Sequence, residues 1–329
     1  MAAVHQVPCS TSACTASGGG ALGEAALGAL RACTLCPRRC GSNRAAGRVG
    51  YCGSGAQPRL FRWGPHFGEE PPISGTRGSG ALFFSHCTLK CIYCQNAKWS
   101  NGGRGEDISV AELTARFKVL YEQGCHNWNL VSPTPWLPQI VEAVAPLLAD
   151  DMRLPFVYNT SSYERTETLE AYRGLVDIAL ADLRYASEQS AWEGSGCKDY
   201  VAVARAAIQW FWKNLGPLAC DEAGIARRGL IVRLLALPGR TEEVAENLIW
   251  LRNTLGPDVA VSVMAQYNPV GQARVTPGWD RRLRPEEFAP LADLVGDLGF
   301  ENGWVQPCDD ETAESMLGEE MAAGYGEVR

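Results

Sequence analysis

Three cysteines fall within eight residues in "FFSHCTLKCIYCQN" (Phe83 to Asn96): Cys87, Cys91 and Cys94, spaced C-x3-C-x2-C. Thiolates are the usual ligands of iron–sulfur clusters, normally four to a 4Fe-4S cluster. A loop that offers three leaves one iron without a protein ligand. Structural metal sites are closed, whereas catalytic ones keep an open position. The competing reading is a Cys3His zinc site completed by His86. His86 adjoins Cys87 at the end of an apolar run, where successive side chains point to opposite faces, so the two are badly placed to share one ion. Tyr93, just before the last cysteine, is placed to cover a flat ligand on the open iron.

A second group lies upstream in "CTLCPRRCGSNRAAGRVGYC": Cys33, Cys36, Cys40 and Cys52, spaced C-x2-C-x3-C-x11-C. Four thiols can close a tetrahedral site, which suits structural zinc or an auxiliary iron–sulfur cluster. Spacing alone does not choose between them. Arg38, Arg39, Arg44 and Arg48 make this segment basic, either to stabilise thiolates, to face an acidic partner or to form a solvated surface. Cys9, Cys14, Cys125, Cys197, Cys220 and Cys308 stand apart and read as small core residues or loose thiols.

The thiols need a scaffold, and the chain of 329 residues has ample material for one. It is 46% hydrophobic and 20% charged, as expected of a globular protein. The net charge of −7 argues against nucleic-acid or membrane-surface partners, which select a basic excess. No apolar run reaches the length of a transmembrane helix. The cysteine count, 13, is odd, and the start lacks the basic and apolar regions of a signal peptide. Reduced thiols used as metal ligands, in a cytoplasmic protein, are the better reading than a disulfide framework.

Residues 1–28, rich in Ala, Gly, Ser and Thr, read as a flexible tail, and 29–57 as a cysteine-rich metal-binding element. Residues 58–80 are dense in Gly and Pro and read as an ordered loop with little regular structure. From 81 to 300 the pattern alternates. Strands are expected at 81–85, 128–132, 155–159, 176–182, 229–239 and 259–267. Helices are expected at 110–124, 137–150 with a bend at Pro146, 165–174, 200–216, 242–256 and 285–299. Residues 301–329 form a C-terminal extension. Continuous apolar strands alternating with helices mean a parallel sheet covered by helices. The six units fit an α/β fold, an open parallel (β/α)6 partial barrel. In such folds the chemistry gathers at the C-terminal ends of the strands, and the three-cysteine loop leaves the first of them there.

The C-x3-C-x-aromatic-C pattern resembles the signature of the radical S-adenosylmethionine (SAM) superfamily, over roughly residues 78–300. "GPHFGEEPPISGTRGSG", "LVSPTP", "VYNTSSYE", "ALADLRYA" and "RRGLIVRLLALPG" are similar to uncharacterised relatives of pyruvate formate-lyase-activating enzyme. The resemblance implies that SAM fills the open iron position, and that its reductive cleavage gives a 5′-deoxyadenosyl radical for hydrogen abstraction. It also implies a reducing electron donor, flavodoxin- or ferredoxin-like. The target is then either a glycine of a partner protein, as in the activases, or a small molecule or peptide. The rival class is a zinc-containing binding or scaffold protein.

Within that resemblance, polar residues at each strand end suit a zwitterionic nucleoside. Tyr93 and Asn96 belong to the loop itself. Ser132 and Thr134 stand in "SPTP", where many superfamily members carry Gly-Gly-Glu, so a carboxylate is missing and hydroxyls and carbonyls are left for the SAM amino group. Asn159 and Ser161 suit ribose, or form a turn with Ser162 as a helix cap. Asp182 suits ribose, and Arg184 a carboxylate through its planar fork. Arg233 lies inside an apolar strand, where a charge is costly unless paired. Gln266 is assigned to the adenine side. His66, Glu69 and Glu70 are candidates for the substrate side.

Overall fold

The computed structural model describes residues 28–306. The tail up to residue 27, the extension from 307, and Cys9, Cys14 and Cys308 lie outside the described residues. Strand β1 spans Arg59–His66, helix α1 Pro71–Ser74, β2 Ser79–Phe84, α2 Ala97–Ser100, β3 Glu106–Asp107, α3 Val110–Glu122, β4 Trp128–Val131, α4 Leu137–Ala149, β5 Phe156–Thr160 and α5 Thr166–Ala171. Then follow β6 Ile178–Asp182, α6 Glu188–Ser195, α7 Tyr200–Leu215, β7 Ala219–Cys220, β8 Ala226–Leu235, α8 Thr241–Leu255, β9 Ala260–Met264, α9 Pro285–Asp297 and β10 Gly303–Val305.

The fold is mixed α/β around one large, mostly parallel sheet ordered β10-β9-β8-β6-β5-β4-β2-β1-β3. Neighbours from β2 to β10 pair in parallel, while β1 runs antiparallel to β2 and β3. Parallel neighbours need long crossovers, and the helices supply them. Local chemistry sets the helix ends. Ser109 and Glu112, for example, form a reciprocal capping box at the start of α3.

Each central strand is buried on both faces. One face packs on the helices through Leu82, Leu130, Tyr158, Ala179, Val232 and Val261. The other face carries Val157, Ile178, Leu180, Ile231 and Ala260, and Ile73 of α1 packs against them. The side-chain period of two then places Asn129, Asn159, Asp182, Arg233 and Ser262 on this second face. The segment before α1 therefore folds over the polar part of the sheet and anchors itself with Ile73.

The expected strands and helices are present with ends shifted by a few residues, and Pro146 lies inside α4. The Gly/Pro-rich 58–80 segment departs from expectation: it contains β1, hydrogen-bonded into the sheet. Its buried face includes Arg62 and His66, and Gly64-Pro65 interrupt it, so neither composition nor apolar alternation marks it as a strand. Helix α6 and the short strands β3, β7 and β10 also lie beyond the expected set. Among the described residues, no helix is long and apolar enough to cross a membrane.

Candidate functional site

The thiol loop leaves the C-terminal end of β2 through His86, whose φ of 71° turns the chain. The backbone then ties itself to distant elements: His86 N donates to Trp99 O at 3.0 Å and Ile92 N to Gly194 O at 2.9 Å. Cys91 Sγ lies 2.9 Å from Ser195 Oγ, and Cys94 Sγ lies 3.2 Å from Ser100 Oγ. Arg184 Nη1 points at Cys91 Sγ from 3.5 Å. Tyr93 is buried and stacks on Trp279 with centroids 5.4 Å apart. Its hydroxyl meets that of Tyr185 at 2.7 Å, and Tyr185 meets Ser195 at 2.6 Å. Tyr93 thus buttresses Cys91 through Tyr185 and Ser195. Asn96 starts α2, and its carbonyl accepts from Ser100 N at 2.8 Å.

Burial pushes the Cys87 thiol up to about 12, and the neighbouring charges of Cys91 and Cys94 add to the rise. Cys94 is raised for the same two reasons, burial first. Two buried thiols whose ionisation is opposed in this way, Cys87 and Cys94, are suited to a cationic metal core, which relieves both penalties. Among the described residues, no three His, Cys, Asp or Glu side chains converge tightly enough to hold one ion. A polynuclear cluster does not demand that convergence, since each thiolate takes its own iron. A Cys3His site needs His86 turned toward the thiols. His86 points elsewhere: its ring lies close to Gly53 and Gly103, and 6.1 Å from the ring of Trp136. The donor set therefore fits an iron–sulfur cluster.

Beside Cys87 a small cleft is lined by Thr88, Ser132, Thr134, Pro135, Thr160, Ser161 and Glu164. Ser132 has a φ of 57°, and its N–H donates to Asn159 O at 2.9 Å, so the β4 loop doubles back toward β5. Ser161 lies on the rim, and its carbonyl accepts from Tyr200 Oη at 2.9 Å. Glu164 escaped the sequence reading although it ends the quoted "NTSSYE". Burial pushes its carboxyl up to about 7, against hydrogen bonds from Thr134, Thr160 and Tyr158 that lower it. The local signal was an acid directly after an apolar strand. Thr160 ends β5 four residues before it, whereas Thr134 comes from the β4 loop, which only the fold brings near.

Asp182 sits at the end of β6 between two guanidinium groups. Arg184 Nη2 donates to its Oδ2 at 2.6 Å and Arg233 Nε to its Oδ1 at 2.8 Å. Burial would raise Asp182, but Arg233 and Arg184 overcome it and hold the carboxyl below its ordinary range. Arg233 also donates to Glu69 Oε2 at 3.1 Å and Asn159 Oδ1 at 2.8 Å. Asn129 and Asn159 donate to the other oxygen of Glu69 at 2.9 and 3.1 Å. All three guanidinium nitrogens of Arg233 are thus engaged, the pairing that a charge inside an apolar strand requires. Glu69 and Asn159 belong to this network, which fastens the segment before α1 to the sheet. Glu70 is buried beside it with its carboxyl raised by burial, and burial with the charges of Arg62 and Arg233 lowers His66 to about 4. Gln266 reaches the loop through its carbonyl, which accepts from Gln95 Nε2 at 3.4 Å.

The N-terminal cysteines form a folded element packed on this site. Cys33 and Ser42 pair as a β-bridge, and Arg39 N donates to Cys36 O at 3.0 Å. Burial pushes the Cys36 thiol up to about 12, with Cys52, Glu164 and Cys33 adding to it and the Arg38 N–H opposing. The four thiols do not converge on one point: Cys40 Sγ accepts from Tyr51 N at 3.4 Å, while Cys52 Sγ donates to Ser54 Oγ at 3.3 Å. Two of the four arginines prove structural. Arg44 is buried, donates to Gly55 O at 2.9 Å and to Pro135 O, and lies over Trp136. Arg38 donates to Thr88 O at 3.4 Å and Gly196 O at 3.3 Å. They fasten the element to the thiol loop and to the β4 loop, while Arg39 and Arg48 are exposed.

No protein-family model matches this chain. The chain is similar to an uncharacterized protein of Methanocaldococcus jannaschii, 26% identical over 282 residues, which covers 83% of this chain and 76% of that protein.

Proposed function

We propose that this chain is a radical SAM enzyme of the kind that resembles pyruvate formate-lyase activases, built on an open (β/α)6 partial barrel. The observation that carries the reading is the thiol loop: Cys87, Cys91 and Cys94 lie on one loop at the C-terminal end of β2, beside Ser132, Thr134, Ser161 and Arg184 from neighbouring strand ends. Cys87, Cys91 and Cys94 would hold a 4Fe-4S cluster. Such a cluster, with SAM at its open iron, supplies reductive cleavage to a 5′-deoxyadenosyl radical that abstracts hydrogen.

The chain's own residues prepare that site. Ser195 and Ser100 orient two thiols, and Arg184 places a positive charge beside Cys91. Arg184 Nε is buried and has no partner, so this nitrogen is free to donate to a carboxylate. With Arg233 engaged by Asp182, Glu69 and Asn159, Arg184 is the better candidate for the carboxylate of SAM. Ser132, Thr134 and Ser161 offer hydroxyls and carbonyls at the rim. The aromatic layer of Tyr93, Tyr185 and Trp279 excludes water behind the loop. Cys33, Cys36, Cys40 and Cys52 would take structural zinc or an auxiliary iron–sulfur cluster in an element of their own. A reducing carrier protein would supply the electron.

The test is anaerobic reconstitution with iron and sulfide, followed by metal and sulfide analysis. The wild-type chain should hold about four irons at the loop beyond any N-terminal metal. Replacement of Cys87, Cys91 or Cys94 by Ala should remove them and spare the N-terminal metal. Zinc alone at both cysteine groups would favour the scaffold class instead.

A further inference from the structure

A chain of buried hydroxyls runs behind the thiol loop and ends on one of its sulfurs. Tyr93 Oη lies 2.7 Å from Tyr185 Oη, Tyr185 Oη 2.6 Å from Ser195 Oγ, and Ser195 Oγ 2.9 Å from Cys91 Sγ. Every member is buried, Tyr185 and Ser195 completely. The chain draws on separate parts of the fold: the loop itself, the segment after β6 and the end of α6. Gly194 leaves room for the Tyr185 hydroxyl, which a side chain there would strike.

The protons along this chain can be counted. Burial raises the phenols of Tyr93 and Tyr185 above their ordinary range, so both keep their protons. Each of the three contacts needs one proton between its heavy atoms. With Cys91 as a thiol, four protons serve three contacts and the direction stays open. A metal-bound cysteine is a thiolate, and its sulfur can only accept. Three protons then serve three contacts, and a single arrangement is left. Ser195 donates to Cys91, Tyr185 to Ser195 and Tyr93 to Tyr185. Arg184 Nη1 also points at Cys91 Sγ, from 3.5 Å, and a guanidinium has no acceptor with which to reverse the chain. Hydroxyls aligned in one direction polarise one another, which strengthens the last bond onto the sulfur.

Reduction adds a negative charge to an iron–sulfur cluster, and hydrogen bonds to its sulfurs favour the reduced form. We propose that Tyr93, Tyr185 and Ser195 are a one-way donor chain that raises the reduction potential of the cluster, so that a reducing carrier can load its electron. The three act through Cys91 and are positioning residues. This inference rests on the reading above, in which Cys91 is a cluster ligand.

The test measures the midpoint potential of the cluster in the full chain, without SAM, from the EPR signal of the reduced form at poised potentials. At a fixed potential, Ser195→Ala should lower the ratio of reduced to oxidised cluster about tenfold, the low end for a hydrogen bond to a charged group, or about 59 mV for one electron. Tyr185→Phe should lower it less and Tyr93→Phe least, because each leaves in place the donor nearest the sulfur. Iron and sulfide content should match the wild type in all three. A wild-type or raised midpoint in cluster-loaded Ser195→Ala overturns the inference. A lowered midpoint there with wild-type values in both tyrosine variants overturns it too, since Ser195 then acts alone. If Ser195→Ala takes up no cluster, Tyr185→Phe decides: a lowered midpoint supports the chain and an unchanged one overturns it. A wild type that takes up no cluster overturns the reading above and this inference with it.

Discussion

Arg233→Met removes the cation that holds three segments together. In the native chain its guanidinium binds Asp182 at 2.8 Å, Glu69 at 3.1 Å and Asn159 at 2.8 Å. The side chains of Arg233, Asp182 and Glu69 are only 16%, 14% and 8% exposed, so water screens them poorly. Breaking a buried pair from one side costs about 3–5 kcal/mol, because it strands the remaining charge. Arg184 still neutralises Asp182 from 2.6 Å, which places the loss at the low end, about 3 kcal/mol. Among the described residues Glu69 has no such second cation, so the segment before α1 should loosen. At 2–4 °C per kcal/mol, the Tm should fall by roughly 6–12 °C. Scanning calorimetry measures this directly, and hydrogen exchange should show lost protection around residues 69–75. Arg173→Met is the control: its pair with Glu170 is more than half exposed and contributes within about 0.5 kcal/mol. The triple change Arg233→Met, Asp182→Asn, Glu69→Gln should recover part of the loss. Equal Tm values for Arg233→Met and Arg173→Met would refute the network as a stabilising element.

Three further outcomes follow from the same geometry. Arg184→Ala should weaken SAM binding roughly 10- to 150-fold in calorimetry, at 1.5–3 kcal/mol for a charge-assisted contact, while the cluster is retained; Arg184→Lys should restore part of it. Arg44→Met removes the bond to Pro135 O and the contact with Trp136, so limited proteolysis should cut within residues 29–57 faster than in wild type. Asp182 has a depressed folded pKa, so its stabilisation is full above the unfolded value of about 3.9 and is lost as pH falls through the folded value. Acid denaturation curves should therefore be less steep in Asp182→Asn than in wild type below about pH 4.

The sheet was legible because its strands are buried on both faces, which leaves short continuous apolar runs between helical patterns. The spacing of the three thiols on one loop was legible because it is local in sequence. What escaped depends on distant neighbours. In β1 the buried positions include Arg62 and His66, which a hydrophobic pattern reads as exposed. Helix α6 carries small buried residues: a Cβ on Gly194 would clash with Tyr185 Oη and with Trp279, the latter from a distant part of the sequence. Arg233 was visible as a charge in an apolar strand, but its partner Glu69 lies 164 residues away. Glu164 was in view and passed over, since its contact with Thr134 comes from the fold.

The central claim is that three thiols at the end of β2 arm SAM chemistry. The most direct measurement is 5′-deoxyadenosine, quantified by mass spectrometry after the reduced, cluster-loaded chain is incubated with SAM. Cleavage in the wild type, absent from Cys87→Ala, Cys91→Ala and Cys94→Ala, is the predicted result. A wild type with its cluster in place that leaves SAM intact, or a triple variant that still cleaves it, would contradict the account.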